Sequence, residues 1–321
     1  MIGELLQQAR NLKASDMHLI AGACPMVRVD GDLKPMTADV LTLADTAQCA
    51  EEMGIFDLQG EKDLAYEFGG QRYRVNAYLK QDTIALAVRI IPDGVPSIDS
   101  LCLPPIVSKF GEISQGLVII TGPTGSGKST TLAALIDRIN ALKHVHIVTL
   151  EDPIEYRHVN RRALVNQREV GSDTGSFASG LRAALRQDPD VIMVGELRDA
   201  ETMEIALSAA ETGHLVLATM HTNDATGAIS RILDTCGDNN NLVRNQLAGC
   251  LQGIVAQQLV PGAHGGRVAA CEILVATTAL RNLIRENKIF QIPSFIQTGA
   301  QYGMQNMDVA ILKLRRDGFI K

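Results

Sequence analysis

Gly122-Pro123-Thr124-Gly125-Ser126-Gly127-Lys128-Ser129-Thr130 is the stretch that decides how this chain reads. The apolar run Leu117-Val118-Ile119-Ile120 leads into it, and Thr131-Leu132-Ala133-Ala134-Leu135-Ile136 carries it onward with a helical pattern. Strand, glycine-rich loop and helix thus stand in order. Glycines at these positions let backbone amides turn into a concavity, and the helix N-terminus adds partial positive charge. In such a loop Lys128 reaches the β- and γ-phosphates, while the Ser129 hydroxyl completes the coordination of a bridging Mg²⁺. Residues 122 to 130 therefore read as the wall of a nucleoside triphosphate site.

Working outward, the 321 residues exceed what one core commonly serves, so two domains are expected. Apolar residues make up 46% and charged ones 21%, and no apolar run reaches the roughly 18 to 20 residues that cross a bilayer. The start, Met1-Ile2-Gly3-Glu4-Leu5-Leu6, lacks the basic and long apolar regions of a secretory signal, so a cytoplasmic location is expected. A net charge of −6 and the absence of Trp argue against a nucleic-acid partner. Cys24, Cys49, Cys102, Cys236, Cys250 and Cys271 form no CxxC pair and read as buried free thiols.

Before the loop, Leu5, Leu6, Ala9 and Leu12 make a helical stripe over residues 4–13. Strands are expected at 15–20 and at 27–33, the latter turning at Asp30-Gly31. A helix over 43–53 starts from Thr42, or from Asp45 if it begins later. Residues 71–78 and 83–90 read as a hairpin whose exposed faces carry Arg72, Arg74 and Arg89, ordinarily solvated strand positions. Pro92, Pro96, Pro104 and Pro105 interrupt regular structure. The expected organisation is a domain over 1–92, a linker over 93–112 and a second domain over 113–321, with C-terminal helices from about 276.

Past the linker, apolar strands at 117–121, 145–150, 191–195 and 215–220 alternate with helices near 128–142, 177–187 and 200–211. That alternation implies an α/β fold with a largely parallel sheet, whose ligands collect at the carboxyl ends of the strands. One strand runs into Glu151, Asp152 and Glu155, the next into Glu196, and the next into His221. Phosphoryl transfer to water needs charge neutralisation, Mg²⁺ and an oriented nucleophile. Glu196, directly after an apolar strand, suits a carboxylate that orients or deprotonates the attacking water, with Lys128, Glu155 and His221 completing the catalytic set. Metal contact falls to Ser129, with Glu151 or Asp152 reaching the ion through water. His214 reads either as a phosphate contact or as a cap on the preceding helix.

Together with the loop, Thr149-Leu150-Glu151-Asp152-Pro153-Ile154-Glu155, Val194-Gly195-Glu196-Leu197-Arg198-Asp199 and the stretch from Thr212-Gly213-His214 to His221-Thr222 resemble the secretion ATPase superfamily. They are similar to its Walker A, Asp, Walker B and His boxes, in order. The resemblance implies a RecA-like P-loop NTPase core, ATP as the nucleotide and a homohexameric ring. Ser15-Asp16-Met17-His18-Leu19, Arg28-Val29-Asp30-Gly31 and Arg72-Tyr73-Arg74-Val75-Asn76-Ala77 resemble its smaller α+β, PAS-like N-terminal domain. On that resemblance Arg72, Arg74 and Arg89 become nucleotide-binding candidates. Ala279-Leu280-Arg281-Asn282-Leu283-Ile284-Arg285-Glu286-Asn287-Lys288 resembles a signature of the pilus retraction branch, which implies twitching motility and an inner-membrane pilus platform protein as partner. Leu280 stands where Ile is usual, and Cys236-Gly237-Asp238-Asn239-Asn240-Asn241 replaces an expected Phe-Pro turn, a change that bears on a surface loop or a subunit contact. The alternatives are a pilus extension or type II secretion ATPase, a nucleic-acid translocase, and a scaffold that binds ATP without turnover.

Overall fold

The computed structural model describes residues 1–91, 94–237 and 240–321. The chain divides into two compact units, Met1–Asp93 and Gly94–Lys321. Pro92 and Asp93, at the expected boundary, and Asp238 and Asn239, at the centre of the altered loop, lie outside the described residues.

The first unit begins with α1 (Ile2–Asn11), followed by β1 (Asp16–Leu19), β2 (Met26–Val29) and β3 (Asp32–Pro35). Then come α2 (Leu43–Glu52), β4 (Glu61–Phe68), β5 (Gln71–Lys80) and β6 (Thr83–Ile90). Thr42, not Asp45, caps α2; the two make a reciprocal box in which the Asp45 amide donates to Thr42 Oγ1 and the Thr42 amide to Asp45 Oδ2. The six strands form an antiparallel sheet in the order β3-β2-β1-β6-β5-β4. Tyr73, Val75 and Ala77 of β5 face the core under the helices with Met17, Leu86 and Val88. Period-two alternation then puts Arg72, Arg74 and Asn76 on the other, polar face. Leu12 is 46% exposed because α1 ends before it.

The second unit departs from expectation at once. Within the expected linker over 93–112, residues 94–112 hold a 3₁₀ turn at Ile98–Leu101 and α3 (Pro105–Phe110), with Ile98, Val107 and Phe110 buried in the unit's own core. Pro105 occupies the first turn of α3, where a missing N–H costs nothing, so proline here starts a helix instead of forbidding one. Cys102 follows the 3₁₀ turn with left-handed backbone and is exposed, unlike the buried thiol expected; Cys24 is half-buried, and all six cysteines are free.

The chain continues through β7 (Gly116–Thr121), α4 (Lys128–Leu142), β8 (His146–Glu151), β9 (Leu164–Glu169), α5 (Phe177–Ala184), β10 (Val191–Val194), α6 (Ala200–Glu211) and β11 (Leu215–Met220). It closes with α7 (Ala225–Thr235), α8 (Asn240–Cys250), β12 (Leu251–Pro261), β13 (Arg267–Val275), α9 (Thr278–Arg285), α10 (Ile292–Thr298) and α11 (Met307–Arg316). The seven strands run β13-β12-β7-β11-β10-β8-β9. All neighbours are parallel except the β12–β13 pair. Leu117 and Ile119 of β7 enter a core with α6, α7 and α8, whereas Val118 and Ile120 enter another with α3 and α4. A sheet covered on both faces needs strands that are apolar on both, which is why β7 reads as a continuous run. The C-terminal edges of β7, β8, β10 and β11 therefore fall along one side of the unit.

Candidate functional site

The phosphate loop leaves β7 at Thr121 and enters α4 at Lys128. Gly122 has φ +147°, and a Cβ there would collide with the backbone carbonyl of Gln257 and lie 2.7 Å from Ser126 Oγ. No side chain fits at that point. Gly127 is the N-cap of α4, with φ +85° and no side-chain bond to the first turn. By contrast Thr42, Ser176, Asp199, Asp224, Thr277 and Asn306 cap their own helices with side-chain oxygens. The amides of Gly127, Lys128, Ser129 and Thr130 have no acceptor among the described residues. Four donors at a helix N-terminus make an anion site.

Lys128 is 8% exposed, and its Nζ donates to the carbonyls of Gly122 (2.8 Å) and Pro123 (3.0 Å). Burial pulls its pKa below the ordinary lysine value, against the attraction of Glu196 and Glu155. Glu196 follows β10 and Glu155 lies in the segment beyond β8, and the charge of each acts on the Lys128 ammonium. Glu196 Oε1 accepts from Arg198 Nε at 2.8 Å and lies 3.5 Å from His221 Nε2. Burial and the Lys128 ammonium push the His221 imidazole below its usual pKa, with Glu196 opposing them. Asp152 is exposed and close enough to Arg198 to help hold its proton.

Glu196 is fixed through its backbone. The Thr219 hydroxyl donates to the Gly195 carbonyl, the Leu197 amide donates to Thr219 O at 2.9 Å, and the Gly195 amide donates to Leu150 O at 2.7 Å. The His221 turn is tied to the loop's root, where Thr121 Oγ1 accepts from the Thr222 amide at 2.9 Å and lies 2.8 Å from the Thr222 hydroxyl. The segment carrying Glu155 is held by β9 and α4. Gln167 Nε2 donates to Tyr156 O at 2.7 Å, Glu169 accepts from the Ile154 amide at 3.0 Å, and the Tyr156 and Thr130 hydroxyls meet at 2.9 Å.

Glu151 is 9% exposed and already engaged: its Oε1 accepts from Thr149 Oγ1 at 2.6 Å and from Gln167 Nε2 at 3.0 Å. Burial raises its pKa. His214 stands apart from the cluster. It precedes β11, at the opposite end of the strand from His221, which separates the two by the length of a six-residue strand, about 20 Å. Its Nδ1 lies 3.0 Å from Ala209 O in the last turn of α6, so the capping alternative holds and the phosphate-contact alternative does not for the loop of the same chain. Arg72, Arg74 and Arg89 belong to the first unit. Arg74 and Arg89 are cross-strand partners; Asp16 accepts from Arg89 Nε at 3.0 Å and Asp63 lies 3.8 Å from Arg74 Nε. Arg72 stands opposite Glu67.

Arg198, Thr219, Tyr156 and Gln257 were not singled out in the sequence. Only Arg198, two residues beyond Glu196 at a strand end, carried a local signal. The residues fit a polyphosphate with a divalent cation: uncapped amides, a buried lysine, and the Ser126 hydroxyl, which is buried and has no partner among the described residues. Donor amides, a buried cation and an anchored carboxylate on one edge of a parallel sheet meet the needs of phosphoryl transfer to water. The second unit is thus of the P-loop nucleoside triphosphatase class, with a RecA-like sheet.

Residues 106–265 match the family described as type II/IV secretion system protein. The chain is 43% identical to the Pseudomonas aeruginosa type IV pilus retraction ATPase PilT, covering 99% of this chain and 95% of that one. It is 44% identical to a Neisseria gonorrhoeae twitching motility protein, over 94% and 83% of the two chains. A crystal structure of the pilus retraction motor PilT with bound ADP superposes with a TM-score of 0.88 at 46% identity, covering 99% and 94%. The chain belongs to the secretion ATPase family, in its PilT-like branch.

Proposed function

We propose that this chain hydrolyses ATP to drive the retraction of type IV pili, the motion behind twitching motility. The near-full-length identity to PilT supports that reading, and the cluster around Lys128 supplies the chemistry. The open amides of Gly127 to Thr130 take the phosphates, and Lys128 neutralises charge on the transferring group. A Mg²⁺ ion would rest on the Ser129 hydroxyl, with Glu151 or Asp152 meeting it through water, and would neutralise phosphate oxygens. Glu196 orients the attacking water. His221, neutral near pH 7, and Glu155 line the same edge. Arg72, Arg74 and Arg89 are proposed as stabilisers of transition-state charge, a role worth roughly 10³ to 10⁵ in rate where arginine fingers act.

We further propose a homohexameric ring acting at the cytoplasmic face of the inner membrane on a pilus platform protein, with the units Met1–Asp93 and Gly94–Lys321 as its two domains. Among the described residues no helix is long and apolar enough to cross a membrane. Differential affinity of nucleotide for two arrangements of the subunits would do the mechanical work. Expression of this chain in cells lacking their own retraction ATPase, with labelled pili filmed, tests the reading. Pili should shorten; pili that never shorten would count against the retraction reading.

A further inference from the structure

Gln257 lies on β12, in register with Cys271 on one side and one residue past Ala256, the partner of Thr121, on the other. It is 2% exposed, in a strand otherwise made of apolar core residues at this depth. A buried primary amide is costly unless its donors and acceptor are used. Here Nε2 donates to the Ser126 carbonyl at 2.7 Å and Oε1 accepts from Thr131 Oγ1 at 2.8 Å. One side chain thus joins the last turn of the phosphate loop to the first turn of α4. Its main-chain carbonyl also packs where only a glycine at 122 leaves room, and its Nε2 would lie 2.9 Å from a Cβ placed on Gly127.

The consequence follows from peptide planarity. In a trans peptide the C=O and N–H point in opposite directions. A Ser126 carbonyl drawn toward β12 by Gln257 turns the Gly127 N–H the other way, to the open side of the loop. That N–H has no acceptor among the described residues. Thr131, whose amide donates to Gly127 O at 3.0 Å, fixes the amide end of Gln257 and the end of the loop together.

We infer that Gln257 is a positioning residue that presets the Gly127 amide for the nucleotide phosphates, through the Ser126–Gly127 peptide and with Thr131 as its anchor. This rests on the nucleotide-binding reading of the loop. Gln257 is buried and its amide is engaged by Ser126 and Thr131, so its expected effect is on nucleotide affinity and not on the chemical step.

The test is Mg·ADP binding by calorimetry together with steady-state hydrolysis, on the full chain, for Gln257→Leu, Gln257→Glu, Thr131→Val and Thr131→Ser. Gln257→Leu and Gln257→Glu both lose the donor to Ser126 and should weaken Mg·ADP binding by about tenfold or more, an effect of ~1.4 kcal/mol. KM for ATP should rise in parallel while kcat at saturation stays within about threefold. Thr131→Val should weaken binding in the same direction and Thr131→Ser, which keeps the hydroxyl, should restore it. A purely structural role would lower the melting midpoint without this split between KM and kcat, and without rescue by serine. If the Gln257 variants do not fold, the two Thr131 variants carry the test alone. Variants that fold and bind Mg·ADP within twofold of the wild type overturn the inference. A wild-type chain that binds no Mg·ADP overturns the nucleotide reading, and this inference with it.

Discussion

Glu196 Oε1 accepts from Arg198 Nε at 2.8 Å, and Arg198 is 69% exposed while Glu196 is 18% exposed. An ion pair open to solvent on one side contributes little to folding, typically below about 1 kcal/mol. It does fix the direction of a carboxylate whose backbone is already held on both sides by Thr219. Arg198→Ala should therefore leave the melting midpoint nearly unchanged yet lower kcat by about tenfold to a hundredfold, the scale of a misplaced catalytic group. Calorimetry and phosphate release measured on one preparation check both halves. Loss of stability without loss of rate would count against the positioning of Glu196 by this pair.

Glu151 permits a prediction with a pH sign. Burial raises its folded pKa above the ordinary 4.5, so its contribution to stability is present below that pH and is lost as pH rises through the folded value. Glutamine keeps an acceptor for Thr149 Oγ1 and Gln167 Nε2 and removes the buried charge. Glu151→Gln should melt higher than the wild type at pH 8, with the gap closing toward pH 4.5. If Glu151 meets Mg²⁺ through water, the same variant should hydrolyse ATP at least about tenfold more slowly, with partial recovery at high Mg²⁺. Full activity at low Mg²⁺ would remove Glu151 from the metal's surroundings and leave Asp152.

His214 should behave as a helix-end residue. Its ring lies 3.0 Å from Ala209 O, at the end of the sheet away from the phosphate loop. His214→Ala is expected to cost the ~0.5 to 1.5 kcal/mol of one hydrogen bond and to leave the Mg·ADP dissociation constant of an isolated chain unchanged. A weakened affinity in a monomeric preparation would contradict that placement.

The parts of the site legible in the sequence were those with a local signature. The strand, glycines and helix around Lys128 adjoin in the chain, and Glu196 follows an apolar strand directly, so periodicity and strand order sufficed. The two histidines show where that reasoning stops. His214 and His221 are near neighbours in sequence and belong to one motif, but a strand lies between them, and a parallel sheet sends the residue before it and the residue after it to opposite edges. Gln257 shows another limit. It contacts Ser126 from 131 residues away, and the apolar run Ile254-Val255-Ala256 before it says only that the strand is buried. β9 was missed because an edge strand that presents Gln167 and Glu169 to a loop has the polar alternation of a loop itself. α3 was missed because proline at a first helical turn and proline in a linker look alike in one sequence.

The most direct measurement is phosphate release from Mg·ATP by the purified chain and by its Glu196→Gln variant, with nucleotide affinity measured in parallel. A wild type that hydrolyses ATP, and a variant that binds it with similar affinity but turns over about 10² to 10³ times more slowly, is the predicted result. Hydrolysis that persists undiminished in Glu196→Gln would contradict the assignment of that carboxylate and the site built around it.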